Sequence, residues 1–170
     1  MKPTTRVLMI AALCATAVAC SKRVREEPPP PASTTPPPAT QPVAPPGAYT
    51  PDDLDRDACL QTRTIYFDFD QDVLRPEFQA AMSCHAKYLR DRPSSRITLE
   101  GHADERGSRE YNLGLGERRG NSVSSALQAN GGSGSQLTVV SYGEERPTCT
   151  ASSEDCWARN RRVEIVYTAR

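Results

Sequence analysis

The distribution of proline limits how much of this chain can build a folded core. Eleven of the fifteen prolines lie within residues 28–51, where residues 28–31 form an uninterrupted run. Such runs favour extended polyproline II, which has no internal hydrogen bonds and buries no core. We therefore predict a linker over residues 20–54 and one folded domain over residues 55–170. A recognition site for a proline-binding partner is the alternative use of this segment.

The net charge argues against one class of partner. Lys and Arg total 21, Asp and Glu total 21, and the formal net charge is zero. Nucleic-acid-binding proteins carry a basic excess, because they neutralise phosphates. We therefore expect no nucleic-acid partner.

Residues 1–19 have the pattern of an export signal peptide. Lys2 and Arg6 give a positive start, and the apolar stretch that follows is too short to span a membrane in the mature protein. A small residue directly precedes Cys20, as in a lipoprotein cleavage site. An ordinary cleavage site followed by a free cysteine is the alternative. Lipidation of Cys20 would anchor the chain at about 0.8 kcal/mol per buried CH₂, and Ser21, in place of an Asp retention signal, favours the outer membrane.

Hydrophobic periodicity predicts alternating strands and helices in the rest of the chain. Strict alternation predicts strands over residues 64–70, 97–100, 136–142 and 162–168, and helical spacing predicts helices over residues 75–92 and 109–130. Ser108 is a suitable N-cap for the second helix. Residues 52–63 form a short charged lead-in to the domain, and residues 143–155 are expected to form a loop.

One position breaks the apolar stripe of the second helix. Leu115, Arg119, Val123 and Leu127 recur at every fourth position and therefore share one helix face. A partly buried guanidinium needs an anionic partner, and Asp104, at the end of the preceding strand, is the nearest candidate. An anion beside a cation suits a zwitterion, an ammonium next to a carboxylate. A purely structural ion pair is the alternative.

The same stretch carries a long family pattern. It consists of Gly-His-Ala-Asp-Glu-Arg-Gly at residues 101–107, followed by Asn112, Leu115, Gly116, Arg119, Gly120 and Val123. In these residues the chain resembles the OmpA-like peptidoglycan-binding domain, and within it the Pal (peptidoglycan-associated lipoprotein) group. The likeness extends over residues 64–167.

The resemblance implies both a fold and a site. The implied fold is a two-layer α/β (α+β) domain of β-α-β-α-β-β order, with helices on one side of a mixed sheet. In the family, the residues that match Asp104 and Arg119 grip the diaminopimelate residue of the peptidoglycan stem peptide. Asn112 belongs to the matched pattern, and the end of the first strand puts Phe69 and Asp70 beside the ligand. Core packing is the alternative for Phe69.

Two further implications concern the binding face. The family's Asn-Arg-Arg segment makes Arg161 a secondary site candidate, with a structural or solvated pair as the alternative. The family also binds TolB on this face, in competition with the wall. The resemblance therefore implies peptidoglycan and TolB-like Tol proteins as partners, with the chain lipid-anchored to the outer membrane and facing the periplasm. Docking to a TolB-like protein without strong wall binding is the alternative function.

Four cysteines remain after the signal peptide and Cys20 are set aside: Cys59, Cys84, Cys149 and Cys156. An exported protein meets an oxidising compartment, where an even number of cysteines indicates disulfides. We favour Cys149–Cys156, which closes a short loop, and Cys59–Cys84, which ties the segment before the domain to the first helix. A metal cluster is the alternative, but no Cys-x-x-Cys pair occurs.

An enzyme is the remaining alternative. Glu100, His102, Asp104 and Glu105 form a tempting acid–base or metal cluster, but no second histidine follows at ligand spacing and no Gly-x-Ser-x-Gly motif is present. We interpret His102 as a residue that orients its loop and His85 as a packing residue. The prediction is a binding protein with no catalytic residues, metal or cofactor.

Overall fold

The computed structural model describes residues 47–170. The predicted signal peptide, Cys20 and most of the proline-rich linker lie outside the described residues. The elements are α1 (Asp53–Arg56), α2 (Ala58–Gln61), β1 (Thr64–Tyr66), α3 (Gln79–Asp91), β2 (Arg96–His102), α4 (Arg109–Ala129), β3 (Leu137–Gly143), α5 (Glu154–Asn160) and β4 (Arg162–Ala169). Short 3₁₀ turns at Pro76–Phe78 and Gly134–Gln136 precede α3 and β3.

The four strands form one mixed sheet in the order β1-β4-β2-β3. Strands β2 and β3 are parallel, whereas β4 is antiparallel to both of its neighbours. A parallel pair needs a long crossover connection, and α4 supplies it. Ser108 caps α4 as predicted, since its hydroxyl accepts a hydrogen bond from the Tyr111 amide. The mixed sheet of the predicted fold is confirmed.

The main core lies between the sheet and the two long helices. Ile97 and Leu99 are buried on the helix side of β2, whereas Thr98 on the opposite face is partly exposed. Met82 of α3 and Val123 of α4 belong to the same buried cluster as these strand residues. Both long helices therefore cover one face of the sheet, as the predicted architecture requires.

Glycines bring α4 unusually close to the sheet. A Cβ atom at Gly116 would lie 2.4 Å from the Ser141 hydroxyl, and one at Gly120 would lie 2.6 Å from a methyl group of Val139. Real Cβ atoms do not approach so closely, so the packing distance requires glycine at both positions. The close approach of α4 to β3 therefore depends on these two glycines.

Strand β1 is shorter than the predicted strand over residues 64–70. It ends at Tyr66, because its partner β4 begins at Arg162; one further backbone hydrogen bond follows, from the Phe67 N–H to the Arg161 carbonyl at 3.0 Å. Phe67 is still buried, but Phe69 is 54% exposed. The chain beyond Phe67 is a loop in which Asp70 adopts a positive φ of 57°.

Three short helices occur in segments for which no helix was predicted. Helices α1 and α2 replace the lead-in, and Asp57 caps α2 by accepting hydrogen bonds from two backbone amides. Helix α5 begins inside the predicted loop over residues 143–155. Helices this short lack the apolar repeat on which the prediction depends. Within residues 47–170, no helix combines the length and apolar character that crossing a membrane requires.

Both predicted disulfides are present. Cys59–Cys84 ties α2 to α3, and Cys149–Cys156 ties the loop after β3 to α5. The packed body begins before the predicted boundary at residue 55, because Leu54 is fully buried. Leu54, Leu60 and Tyr88 form a second buried group, here named the lead-in cluster.

Candidate functional site

A pocket of about 290 Å³ opens where β2 ends and α4 begins. It is lined by Phe69, Asp70, Asp104, Arg106, Gly107, Tyr111, Asn112, Leu115 and Arg119. Five of the six predicted ligand-binding residues thus lie around one cavity. The sixth, Arg161, is not in its lining but contacts Asp104 from behind.

The carboxylate of Asp104 is surrounded by arginine donors. Its Oδ1 accepts hydrogen bonds from the backbone N–H and Nε of Arg106 at 3.0 and 3.1 Å. Its Oδ2 accepts one from Nη2 of Arg106 at 2.7 Å and one from Nη1 of Arg161 at 3.3 Å. Burial alone would raise the pKa of Asp104, but these hydrogen bonds outweigh it and hold the pKa below 3.8. Asp104 is therefore a firmly ionised anion.

Arg119 is fully buried and binds backbone rather than carboxylate. Its Nε donates to the Gln71 carbonyl at 2.8 Å, Nη1 to the His102 carbonyl at 2.8 Å, and Nη2 to the Asp68 carbonyl at 3.1 Å. Burial lowers its pKa to about 10, although the nearby negative charge of Asp104 opposes the change. Arg119 remains a cation at neutral pH.

The structural ion pair between Asp104 and Arg119, which was the alternative to a ligand site, does not form in this structure. Asp104 forms its ion pairs with Arg106 and Arg161. The Arg119 guanidinium instead donates hydrogen bonds to backbone carbonyls at the end of β2 and in the loop after β1. Among residues 47–170, Arg119 makes no ion pair with any carboxylate. A buried charge normally has such a partner, so Arg119 is an unusual cation in the pocket wall.

Arg119 also holds the loop that carries Phe69 and Asp70. Its two carbonyl partners in this loop, Asp68 and Gln71, flank those residues on either side. Asp70 in turn accepts a hydrogen bond from the Tyr111 hydroxyl. Phe69 is exposed at the pocket and does not belong to the core, so the alternative of core packing is wrong for it.

Asn112 is buried beneath the pocket. Its side-chain amide donates to the Asp104 carbonyl at 3.1 Å and to the Glu144 carboxylate at 2.5 Å. Only 1% of Asn112 is exposed. Asn112 therefore fixes the backbone that presents Asp104, and its amide is already occupied.

A group of residues that combines two charged side chains and one aromatic side chain, here named the charged wall, borders Asp104 and Arg106 on the side of α5. It comprises Glu154, Trp157 and Arg161. Arg161 donates to the Phe67 carbonyl at 3.1 Å and to Glu154 at 2.7 Å, in addition to Asp104. Glu154 also lies 3.5 Å from Arg106. Arg161 is thus a buried structural residue, which was one of its two predicted roles.

Sequence reasoning missed Arg106 as a site residue. Its guanidinium carbon lies 4.0 Å from the ring centre of Phe69 and 4.2 Å from that of Trp157. The Trp157 indole donates to Glu105 at 3.0 Å. Both Glu105 and Arg106 belong to the family pattern, and this membership could have identified Arg106 as a site residue from the sequence.

The prediction for His102 is wrong for its side chain. The ring is buried, packs 5.5 Å from the Tyr142 ring, and neither ring nitrogen has a hydrogen-bond partner in the described domain. Only the His102 carbonyl serves the site, by accepting from Arg119. Within the described residues, no group of His, Cys, Asp and Glu is arranged to hold a metal ion.

Comparisons with known proteins agree with the resemblance. Residues 66–161 match the OmpA family. A peptidoglycan-associated lipoprotein of Pseudomonas aeruginosa is 49% identical over 111 residues, which cover 65% of this chain and 66% of that protein. One from Pasteurella multocida is 34% identical over 98% of this chain and 100% of its own length.

Solved structures give the same result. The crystal structure of the peptidoglycan-associated lipoprotein from Burkholderia pseudomallei is 40% identical, with a TM-score of 0.66 over 68% of this chain and 98% of that one. The C-terminal domain of Helicobacter pylori MotB shares the fold, at 23% identity and a TM-score of 0.58 over 63% of this chain and 84% of its own. The chain is not an enzyme, in keeping with these relatives. It belongs to the OmpA family, among the peptidoglycan-associated lipoproteins.

Proposed function

We propose that this protein binds peptidoglycan non-covalently, through the diaminopimelate residue of the stem peptide, in the pocket between Asp104 and Arg119. The side chain of diaminopimelate ends in an ammonium beside a carboxylate. The observation that carries the proposal is Arg119, a fully buried guanidinium that makes no ion pair with a carboxylate of the described domain. A ligand carboxylate supplies that missing partner.

The chemistry of the pocket suits each end of the zwitterion. Asp104 is ionised at neutral pH and accepts hydrogen bonds from the ligand ammonium. Three N–H groups of Arg119 donate to backbone carbonyls, and a guanidinium has further donors for a carboxylate. Because Arg119 is inaccessible to solvent, the ligand reaches these donors by shifting the loop of Phe69 and Asp70.

The cellular role follows from joining this site to the predicted N-terminal segments. A signal peptide directs export, and lipidated Cys20 anchors the chain to the outer membrane on its periplasmic side. About thirty linker residues in polyproline II would extend roughly 90 Å at about 3.1 Å per residue. The protein thereby tethers the outer membrane to the cell wall, as part of a Tol-Pal-like system that maintains envelope integrity and serves cell division.

A second candidate function is docking to a TolB-like periplasmic protein. Two large hydrophobic side chains are exposed in the lining of the pocket, with exposed fractions of 54% for Phe69 and 44% for Tyr111. Exposed apolar groups at a polar cavity are typical of a protein interface. This observation favours the same face for a protein partner.

Co-sedimentation with purified diaminopimelate-containing sacculi tests the proposal. The protein is residues 20–170 with Cys20→Ser, so that no lipid contributes to pelleting. We expect the parent protein to pellet and both Asp104→Ala and Arg119→Ala to stay largely soluble. Each variant leaves one charge of the bound diaminopimelate without its buried partner, which costs about 2–5 kcal/mol of binding free energy.

A matched control removes an arginine outside the pocket. Arg109 is exposed and pairs with Glu145, so Arg109→Ala is expected to pellet like the parent. Circular dichroism checks that every variant is folded. Equal pelleting of the folded Asp104 and Arg119 variants would show that the site is misassigned. A soluble parent protein would refute wall binding and leave TolB-like docking as the function.

A further inference from the structure

The carboxylate of Asp104 has no free acceptor site in this structure. A carboxylate offers about four lone-pair positions for hydrogen bonds, and Asp104 accepts four hydrogen bonds from arginines. Three of them come from Arg106 and one from Arg161. A ligand ammonium therefore cannot bind Asp104 until one of these donors leaves.

Arg106 is the donor that can leave. Its side chain is 30% exposed and lines the pocket, whereas the Arg161 side chain is 7% exposed and is held by three separate acceptors. Moving Arg106 breaks two side-chain hydrogen bonds to Asp104 but leaves its backbone N–H in place. Moving Arg161 would instead strip the Phe67 carbonyl and Glu154 of a buried donor.

Other contacts can hold the Arg106 guanidinium after it has left Asp104. It lies between the rings of Phe69 and Trp157, and Glu154 is 3.5 Å from its Nη1. Cation–π contacts tolerate lateral movement, because the attraction depends on the ring face rather than on one acceptor atom. Arg106 can therefore turn from Asp104 and stay beside the pocket as a cation that keeps only its ion pair with the 60% exposed Glu154.

We propose that Arg106 is a built-in competitor for the ligand ammonium and thereby determines ligand specificity. This inference rests on the proposed function. A ligand with only an ammonium must break the Asp104–Arg106 pair and leaves Arg106 with the exposed Glu154, 3.5 Å away, as its carboxylate partner. A zwitterion places its ammonium on Asp104, and its carboxylate, bound by Arg119, also faces the released Arg106 and replaces the partner that Arg106 has lost. Arg106 thus selects zwitterionic side chains and rejects simple amines.

The chain contains a natural reporter of this exchange. Trp157 is the only tryptophan in the sequence, and the Arg106 guanidinium lies against its ring. Movement of Arg106 on ligand binding should change the emission of Trp157. We expect a saturable fluorescence change with a diaminopimelate muropeptide in the parent protein and a smaller one in Arg106→Gln.

The decisive experiment compares two soluble muropeptides that differ only in carrying diaminopimelate or lysine. Calorimetric titration uses residues 20–170 with Cys20→Ser, the same protein with Arg106→Gln, and the matched control Arg109→Gln. We expect Arg106→Gln to bind the lysine form about tenfold more tightly than the parent does, as removal of a competing charged hydrogen bond predicts. Arg109→Gln should behave like the parent.

The outcomes separate this inference from the proposed function. Unchanged or weaker binding of the lysine form by folded Arg106→Gln overturns the inference, even where the parent binds the diaminopimelate form. Failure of the parent to bind either muropeptide refutes the proposed function. If the parent binds neither muropeptide and Arg106→Gln also binds neither, the competitor role of Arg106 is refuted as well. If Arg106→Gln gains binding to the lysine form, that gain supports the competitor role by itself.

Discussion

The two disulfides close loops of different length in different surroundings. Cys59–Cys84 joins residues 25 apart and lies beside the lead-in cluster of fully buried Leu54, Leu60 and Tyr88. The Tyr88 ring packs edge-on at 5.1 Å against Tyr167. Burial of apolar area supports this region as well as the covalent link.

Cys149–Cys156 joins residues seven apart and borders the charged wall of Glu154, Trp157 and Arg161. This region is held by ion pairs and hydrogen bonds, several of which end on the site residues Asp104 and Arg106. The comparison separates two tasks. The lead-in cluster stabilises the fold away from the pocket, whereas the charged wall positions the pocket, so their mutations should affect different measurements.

The largest effect is expected from removing the central cation of the charged wall. Arg161→Ala leaves Asp104 with fewer donors and the Phe67 carbonyl without one. Breaking a buried pair in this way typically costs about 3–5 kcal/mol. We expect the free energy of unfolding, measured in urea, to fall by about 4 kcal/mol and pelleting with sacculi to be lost. Arg170→Ala, which removes an exposed pair with Asp55, is the control. A fall below about 1 kcal/mol would contradict this view of the wall.

Acid should weaken the region near the lead-in cluster before it affects the charged wall. His85 is buried, with Nδ1 bonded to the Tyr167 hydroxyl and Nε2 to the Thr62 carbonyl. Burial lowers its pKa from 6.5 to about 4. The unfolded chain therefore binds a proton that the folded one does not, and stability present above pH 6.5 is lost as the pH falls towards 4, by about 3 kcal/mol. The arginine hydrogen bonds of Asp104 instead lower the pKa of its carboxyl, so the stability that they give is lost at lower pH than the stability that depends on neutral His85.

The variant His85→Gln checks the source of this pH dependence. Urea unfolding at several pH values between 4 and 7 should give a slope shallower by one proton than in the parent protein. The buried His102, whose pKa is also lowered to about 4, by burial and by the neighbouring Arg162, contributes to the slope that remains in this variant. An unchanged slope in His85→Gln would show that His85 does not titrate as described.

Removing the longer disulfide should reduce stability and leave binding intact. The double variant Cys59→Ala/Cys84→Ala frees a loop whose closure contributes about 3 kcal/mol. Thermal unfolding should report this loss, and affinity for a diaminopimelate muropeptide should match the parent. Weaker binding by the folded variant would mean that the two regions are coupled.

Removing the shorter disulfide should cost less stability than removing the longer one, but it should weaken ligand binding. For Cys149→Ala/Cys156→Ala, loop closure predicts a smaller loss of about 2 kcal/mol. Because the freed segment carries Glu154 and Trp157, we expect affinity to fall about fivefold, equal to about 1 kcal/mol of lost preorganisation. Titration of both double variants side by side gives the comparison, and equal affinities would remove the distinction between the two regions.

The segment over residues 96–129 was predictable because its signals are local. Alternation marks β2, Ser108 caps α4, and the four-residue repeat places Val123 and Leu127 in the core. The end of β1 was not predictable from alternation, since it depends on where β4 starts to pair, almost 100 residues later in the chain. The short helices had too few turns for a periodic signal.

The site shows the same limit. The family pattern identified Asp104 and Arg119, but the direct ion pair between them, which was the alternative to a ligand site, did not form. The loop carbonyls that Arg119 binds instead belong to Asp68 and Gln71, which are 51 and 48 residues away. Arg161 reaches Asp104 across 57 residues. Such partners are chosen by tertiary packing, so no local spacing could reveal them.

The central claim is that the pocket recognises an ammonium and a carboxylate together. Calorimetric titration of the unlipidated mature chain with matched diaminopimelate and lysine muropeptides tests it most directly, because the two ligands differ only in the side-chain carboxylate. We predict that the diaminopimelate form binds at least about tenfold more tightly, as one charged hydrogen-bonded contact requires. Equal affinity for the two forms would contradict recognition of a zwitterion and would remove Arg119 from the binding site.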